Sequence, residues 1–153
     1  MRTKSQQGFT MVELITVMII VGILAAVAMP KFFERGTYDS RGFADEVKAT
    51  LRYAQKAAIA QRRFVCVNFT STNISLTYDV TGPSATHTVA ACTLPLTLPF
   101  EFKTLGDARM AGYPTTMTID AIGRPSAAQT INIQVNGATE YTVKVEAETG
   151  YVH

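Results

Sequence analysis

The residue whose type and position most strongly suggest a chemical role is Glu13, an acid inside an apolar segment. Residues 9–29 form an apolar run that only Thr10, Glu13, Thr16 and Gly22 interrupt. As a helix this run would be about 30 Å long, which is the thickness of the apolar core of a bilayer. A carboxylate would cost roughly 3 kcal/mol in that environment, and ionisable residues in such segments usually have a function.

Two basic residues ahead of this run set its expected orientation. Arg2 and Lys4 precede it and no acidic residue does. The positive-inside rule therefore places residues 1–8 in the cytoplasm and the chain after Pro30 outside it. A secretory signal peptide cleaved within residues 25–28, or a plain signal anchor, would also fit the apolar run, but neither accounts for the acid.

The two cysteines of the chain are candidates for a disulfide. Cys66 and Cys92 are the only cysteines, and the expected orientation puts both outside the cytoplasm, where disulfides persist. We therefore predict a Cys66–Cys92 bridge. It would contribute about 3–4 kcal/mol in the chain-entropy account of a loop of this size. Two free, buried thiols are the alternative.

The sequence lacks the motifs of catalytic and metal centres. It contains no Cys-x-x-Cys, His-x-x-x-His or Gly-x-Ser-x-Gly motif and no glycine-rich phosphate loop, and His87 and His153 are isolated. Beyond residues 1–8 the chain carries equal numbers of basic and acidic residues, and Arg62–Arg63 is its single contiguous basic pair. These features predict no enzyme, no cofactor or metal, and no basic tract for nucleic acid.

The residues around the acid resemble the processing site of type IV prepilins and pseudopilins. Residues 8–14 read Gly-Phe-Thr-Met-Val-Glu-Leu, after a short basic leader, and Pro30 closes the apolar run that follows. In that family a membrane peptidase cuts after the glycine and methylates the new terminus. The resemblance therefore implies cleavage between Gly8 and Phe9, N-methylation of Phe9, and a conserved-acid role for Glu13.

Removal of the leader, residues 1–8, would leave a cationic amine on Phe9 at the edge of an apolar helix. Glu13 can meet that amine across one helical turn or on a neighbouring subunit, and the attraction is far stronger in low dielectric than in water. We hypothesise that Glu13 pairs with Phe9 of an adjacent subunit and fixes its axial register. The resemblance also implies several partners: other pilin subunits in a helical fibre, a prepilin peptidase/methylase, an inner-membrane platform and an assembly ATPase.

The rest of the sequence predicts the secondary structure that carries the Phe9 terminus. Residues 9–30 are expected to form a transmembrane and filament-core helix. Pro30 lacks an N–H and should kink or interrupt it, and the stretch from Gly36 to Gly42 marks a second weak point. Residues 31–63 are expected to be an amphipathic helical half that packs on a head. Its apolar stripe is Phe43, Val47, Leu51, Ala54 and Ala58.

Residues 64–153 are predicted to form an antiparallel β-rich head. Strands are predicted at residues 64–69, 74–78, 88–92 and 116–119. Residues 93–115, rich in proline and glycine, are predicted to be loop with short strands. The clearest element is a hairpin over residues 131–145, which alternates apolar and polar residues around an Asn136-Gly137 type I′ turn. Its apolar set should face the long helix. A long helix followed by such a head is an α+β fold.

The C-terminal region adds a second resemblance. Residues 118–126, the hairpin and residues 149–153 are similar to the corresponding region of minor pilins. The general shape is that of H-type minor pseudopilins of type II secretion and of minor subunits of the mannose-sensitive-haemagglutinin (MSHA) pilus. This implies a minor pilin that spans the bacterial inner membrane once, with a periplasmic head, and then enters a pilus at the cell surface for adhesion or fibre biogenesis.

Two alternatives stay open at this point. A minor pseudopilin of a type II secretion system belongs to the same mechanical class, and neighbouring genes would distinguish it. A DNA-binding minor pilin for DNA uptake belongs to another class, in which Arg62, Arg63 and Arg124 could contact phosphates. A solvated face, or ion pairs between subunits, is the simpler interpretation of these arginines.

Overall fold

The chain forms two compact units in the computed structural model, Met1–Arg35 and Gly36–His153. The structure describes residues 9–33, 35–81, 91–104 and 106–153. The expected leader, residues 1–8, lies outside these described residues. The expected cleavage site is therefore seen only from Phe9 onward.

The described part of the first unit is one long helix, α1 (Met11–Phe33). Its residues Met11–Met29 are long and apolar enough to cross a membrane, by length and composition. The large apolar side chains of this stretch are exposed within the unit, with Met11 at 84% and Leu24 at 62%. A helix that is apolar on every side is typical of a membrane span or of a helix buried in a larger core.

Neither Pro30 nor the stretch from Gly36 to Gly42 interrupts a helix, and a kink at Pro30 stays a prediction. Helix α1 continues through Pro30 to Phe33, and helix α2 (Arg35–Gln61) is helical through both glycines. Proline has a helical φ, and Pro30 removes one backbone hydrogen bond near the end of α1. Each glycine costs only about 1 kcal/mol relative to alanine. Packing of the apolar stripe of α2 outweighs that cost.

That stripe forms the centre of the core of the second unit, as predicted. Its five residues are at most 1% exposed: Phe43, Val47, Leu51, Ala54 and Ala58. Buried apolar residues from both sheets of the head belong to the same cluster; they include Val65, Val67, Met117, Ile131, Ile133 and Val143. Helix α2 and the two sheets therefore share one core.

The first sheet is antiparallel and has the strand order β3-β2-β1-β5. Its strands are β1 (Val65–Phe69), β2 (Ile74–Asp79), β3 (Cys92–Leu96) and β5 (Thr116–Ile119). The sequence predicted β1, β2 and β5 within one residue at each end. Strand β3 begins at Cys92, where the predicted third strand ends, and residues 82–90 lie outside the described part of the chain. Strand β3 is an edge strand with mostly exposed residues, and most of it lies in residues 93–115, which were predicted to be loop with short strands.

The second sheet has the order β4-β6-β7 and contains the predicted hairpin. Its strands are β4 (Arg109–Ala111), β6 (Gln129–Val135) and β7 (Ala138–Val145). Asn136 and Gly137 have φ of 51° and 82°, the left-handed conformations that a type I′ turn requires. The inward residues Ile131, Ile133 and Val143 are fully buried. The predicted turn and the inward facing of these residues are therefore confirmed, and the register of the hairpin shifts between Ile133 and Gln134.

Candidate assembly site

The candidate site lies in the first turn of α1. Phe9 and Glu13 lie on the same side of the helix start, together with Leu14, Val17 and Met18. Phe9 is 81% exposed. Among the described residues, no group donates a hydrogen bond to the Glu13 carboxylate. The acid and the residue expected to become the N-terminus are thus brought together, and within the described part of the chain the acid has no partner.

Thr10 caps this helix, a role that the sequence analysis missed. The backbone N–H of Glu13 donates to Thr10 Oγ1 at 3.3 Å, and the N–H of Leu14 donates to the Thr10 carbonyl at 3.2 Å. The Thr-x-x-Glu spacing is the capping-box pattern, which could have revealed this role. An acid at this position is also favoured by the partial positive charge of the helix N-terminus. The cap fixes the turn on which Glu13 is carried.

The disulfide lies in the head. Cys66 and Cys92 are joined, with a Cα–Cα distance of 6.1 Å and a sequence separation of 26. Cys66 is buried in the inner strand β1, and Cys92 is the first residue of the edge strand β3. Since β2 lies between these strands, the bridge ties the edge of the sheet to its interior.

The three arginines considered for nucleic-acid binding have different environments. The guanidinium of Arg63 lies 5.9 Å from the centroid of the Tyr78 ring, and its Nη1 donates to the carbonyl of Asp79 at 3.4 Å. Arg62, just beyond α2, and Arg124, on the turn after β5, are exposed. Arg63 therefore helps to hold β2, whereas the structure gives no such contact for Arg62 or Arg124 among the described residues.

A polar side chain of α2 links two distant turns of the head, which the sequence analysis also missed. Nε2 of Gln55 donates to the carbonyl of Gly123 at 3.0 Å and to that of Thr149 at 2.8 Å. Gly150 packs so closely that a Cβ there would collide with the Gly123 carbonyl oxygen and with Gln55. We call this contact the Gln55 junction. No local pattern signals it, because its partners are far apart in sequence.

No metal-binding constellation is present in the described part of the chain: no three or more His, Cys, Asp or Glu residues are placed to hold an ion. His153 stacks on Tyr151, with ring centroids 5.3 Å apart, and its Nε2 lies 4.0 Å from Glu146. His87 lies outside the described residues.

Comparisons with known proteins agree with this geometry. Residues 3–29 match the prokaryotic N-terminal methylation motif. The type IV narrow pilus major component PilA5 of Thermus thermophilus is 36% identical over 63 residues, which is 41% of this chain. The matched region spans 52%, about half, of the length of that relative.

The fold matches solved structures of the type IV minor pilin FimU from Pseudomonas aeruginosa. One has a TM-score of 0.57 at 19% identity, covering 80% of this chain and 90% of FimU. A second crystal form has a TM-score of 0.51 at 18% identity, covering 74% of this chain and 90% of FimU. The long apolar helix, the second helix and the antiparallel head are thus those of the type IV pilin fold. The N-terminal methylation motif, the partial likeness to a curated type IV pilin and the fold together support a type IV pilin-like chain, that is, a structural subunit.

Proposed function

We propose that the chain is a minor pilin of an MSHA-like type IV pilus, which enters the fibre through α1 and serves fibre biogenesis and adhesion. The observation that carries this proposal is the all-round exposure of the apolar side chains of α1, in a chain whose fold matches that of FimU. An exposed apolar helix of this length needs a bilayer first and other helices afterwards.

Processing prepares the helix for this transfer. A prepilin peptidase/methylase cuts between Gly8 and Phe9 and methylates the Phe9 amine. Glu13, which has no partner in the described residues, then pairs with the Phe9 amine of a neighbouring subunit. Other pilin subunits, an inner-membrane platform and an assembly ATPase are the partners of this step. The chain starts in the inner membrane with a periplasmic head, where the Cys66–Cys92 disulfide is stable.

Intact mass and N-terminal sequencing of the membrane-derived protein test the processing step. The expected mature chain begins at a methylated Phe9. A chain that begins near residue 29, or that keeps residues 1–8, would refute the proposal.

Fibre incorporation tests the role of the acid. Glu13→Gln should greatly reduce the amount of the chain in sheared fibres while its amount in the membrane is unchanged. Thr16→Val is the matched control, because it removes a polar group from the same helix without removing a charge; the Thr16 hydroxyl donates only to the Val12 carbonyl of its own helix. Equal incorporation of Glu13→Gln and the control would refute the pairing.

The second candidate in the same class is a minor pseudopilin of type II secretion, and neighbouring genes would distinguish it. DNA binding has weaker support, since Arg63 is engaged with Tyr78 and Asp79. A salt-titrated mobility-shift assay with the full chain in detergent would test the exposed Arg62 and Arg124. Absence of binding at low salt would end that hypothesis.

A further inference from the structure

Two large aliphatic side chains are exposed near the C-terminal end of α2. Ile59, on α2, is 48% exposed, and Ile122, on the turn after β5, is 67% exposed. Their elements touch: a Cβ placed on Gly123 would lie 2.7 Å from Ile59 Cδ1. Ile59 therefore packs against the turn that carries Ile122, which brings two exposed apolar residues to one part of the head surface.

This surface is rigid because the Gln55 junction lies directly beneath it. Gln55 precedes Ile59 by one helical turn and holds the Gly123 carbonyl, next to Ile122 in the chain. The Asp120 carboxylate holds the same turn, accepting the N–H of Ile122 at 3.0 Å and that of Arg124 at 2.8 Å. A surface held in this way loses little conformational entropy when a partner binds.

Three exposed cations lie close to the isoleucines in the chain. Lys56 lies one turn before Ile59, Arg62 lies one turn after it, and Arg124 follows Gly123; all three are exposed. None of their side chains has a hydrogen bond or ion pair among the described residues. The nearby Asp120 carboxylate is occupied by backbone N–H groups, and Glu148, on the turn that the Gln55 junction holds, is the adjoining exposed acid. The rim of the surface is therefore net positive.

We propose that these five residues, Lys56, Ile59, Arg62, Ile122 and Arg124, form a docking surface for a carboxylate-rich face of a neighbouring pilin-fold subunit. We call it the isoleucine patch. An apolar centre with a charged rim is the anatomy of a protein interface, and unpaired cations favour an acidic partner. Nucleic acid fits less well, because its phosphate backbone gains nothing from two exposed isoleucines. The inference rests on the proposed function, since it requires a neighbouring subunit.

Photocrosslinking in fibre-forming cells tests the occupant directly. A benzophenone amino acid replaces Ile122 in the full chain, sheared fibres are irradiated, and the crosslinked peptide is identified by mass spectrometry. The expected product joins Ile122 to a peptide that bears Asp or Glu and belongs to another pilin-fold subunit. A crosslink to nucleic acid or lipid, or no crosslink in fibres that contain the chain, would overturn the proposal.

Charge reversal tests the rim. The variant Lys56→Glu/Arg124→Glu should lower the amount of the chain in fibres about tenfold at an unchanged amount in the membrane. The control Lys103→Glu/Lys144→Glu makes the same change in net charge away from the patch and should keep most of the incorporation. Equal incorporation of both variants, or an equal loss in both, would overturn the patch while leaving the proposed function intact. A wild-type chain that never enters fibres would refute the proposed function and the patch together.

Discussion

Replacing Gly150 by alanine should destabilise the head strongly, because this residue closes the Gln55 junction. Gly150 has a φ of 65°, which costs about 1–2 kcal/mol for a residue with a Cβ. The new Cβ would also collide with the Gly123 carbonyl oxygen and with Gln55 Nε2. Displacing Gln55 removes its two hydrogen bonds, each contributing about 1 kcal/mol. We expect the free energy of unfolding to fall by about 3–4 kcal/mol.

Gly137→Ala is the matched control for this prediction. Gly137 has a φ of 82°, but a Cβ there would meet nothing within 4 Å. Its replacement should therefore lower the free energy of unfolding only by the backbone strain of a positive φ, about 1–2 kcal/mol. The assay is thermal unfolding of the full chain in detergent, followed by circular dichroism and tyrosine fluorescence. At about 4 °C per kcal/mol, Gly150→Ala should lower the Tm by roughly 14 °C and Gly137→Ala by roughly 6 °C.

Equal shifts in Tm for the two glycine variants would refute this reasoning, because they would leave only the backbone term. A double-mutant cycle adds a second check. Gln55→Ala alone should cost about 2 kcal/mol, since it removes both hydrogen bonds. Gly150→Ala should then cost at least about 1 kcal/mol less in the Gln55→Ala background than in the wild type. Additive effects of the two replacements would contradict a shared junction.

Three further predictions concern the bridge, the helix cap and the core. Replacing Cys66 and Cys92 by serine should lower the free energy of unfolding by about 3.5 kcal/mol, measured by thermal unfolding. Adding a reductant to the oxidised wild type should lower its Tm towards that of the variant. Thr10→Val should speed hydrogen exchange of the Glu13 amide about fivefold, because it removes a cap of about 1 kcal/mol, whereas Thr10→Ser should not. Leu51→Ala should cost about 3 kcal/mol, since the side chain is 1% exposed; a cost under about 1 kcal/mol would contradict its place in the core.

The hairpin and the α2 stripe could be predicted because each carries its own local pattern. Asn136-Gly137 supplies the two left-handed residues of the turn, and alternation on both sides of it fixes which residues face inward. In α2, Phe43 and Leu51 repeat at helical spacing, and both are buried. For these elements the local preference and the tertiary environment agree, so the sequence is sufficient.

The continuity of α2 could not be predicted, because it depends on packing elsewhere. Gly36 and Gly42 are local breakers, yet both are helical, and the apolar stripe of α2 packs in the core. Strand β3 is an edge strand with mostly exposed residues, and its bounds depend on pairing with β2. The Gln55 junction has no local signal, since its hydrogen bonds join residues that are 68 and 94 positions apart. In each case, the deciding interaction is non-local.

In the proposed assembly, too, only some of the interactions can decide the outcome. Moving α1 from a bilayer into a fibre would exchange one apolar environment for another, so burial of its exposed side chains cannot favour one neighbour over another. Selection must come from groups whose environment changes between the two states. Glu13 is such a group, because its carboxylate has no partner among residues 9–33 of the first unit and a neighbouring amine would supply one. The isoleucine patch is another, since its apolar and cationic side chains remain in water until a subunit covers them. Under the proposed function, Glu13 would set the axial register of the chain and the head would set the choice of neighbour.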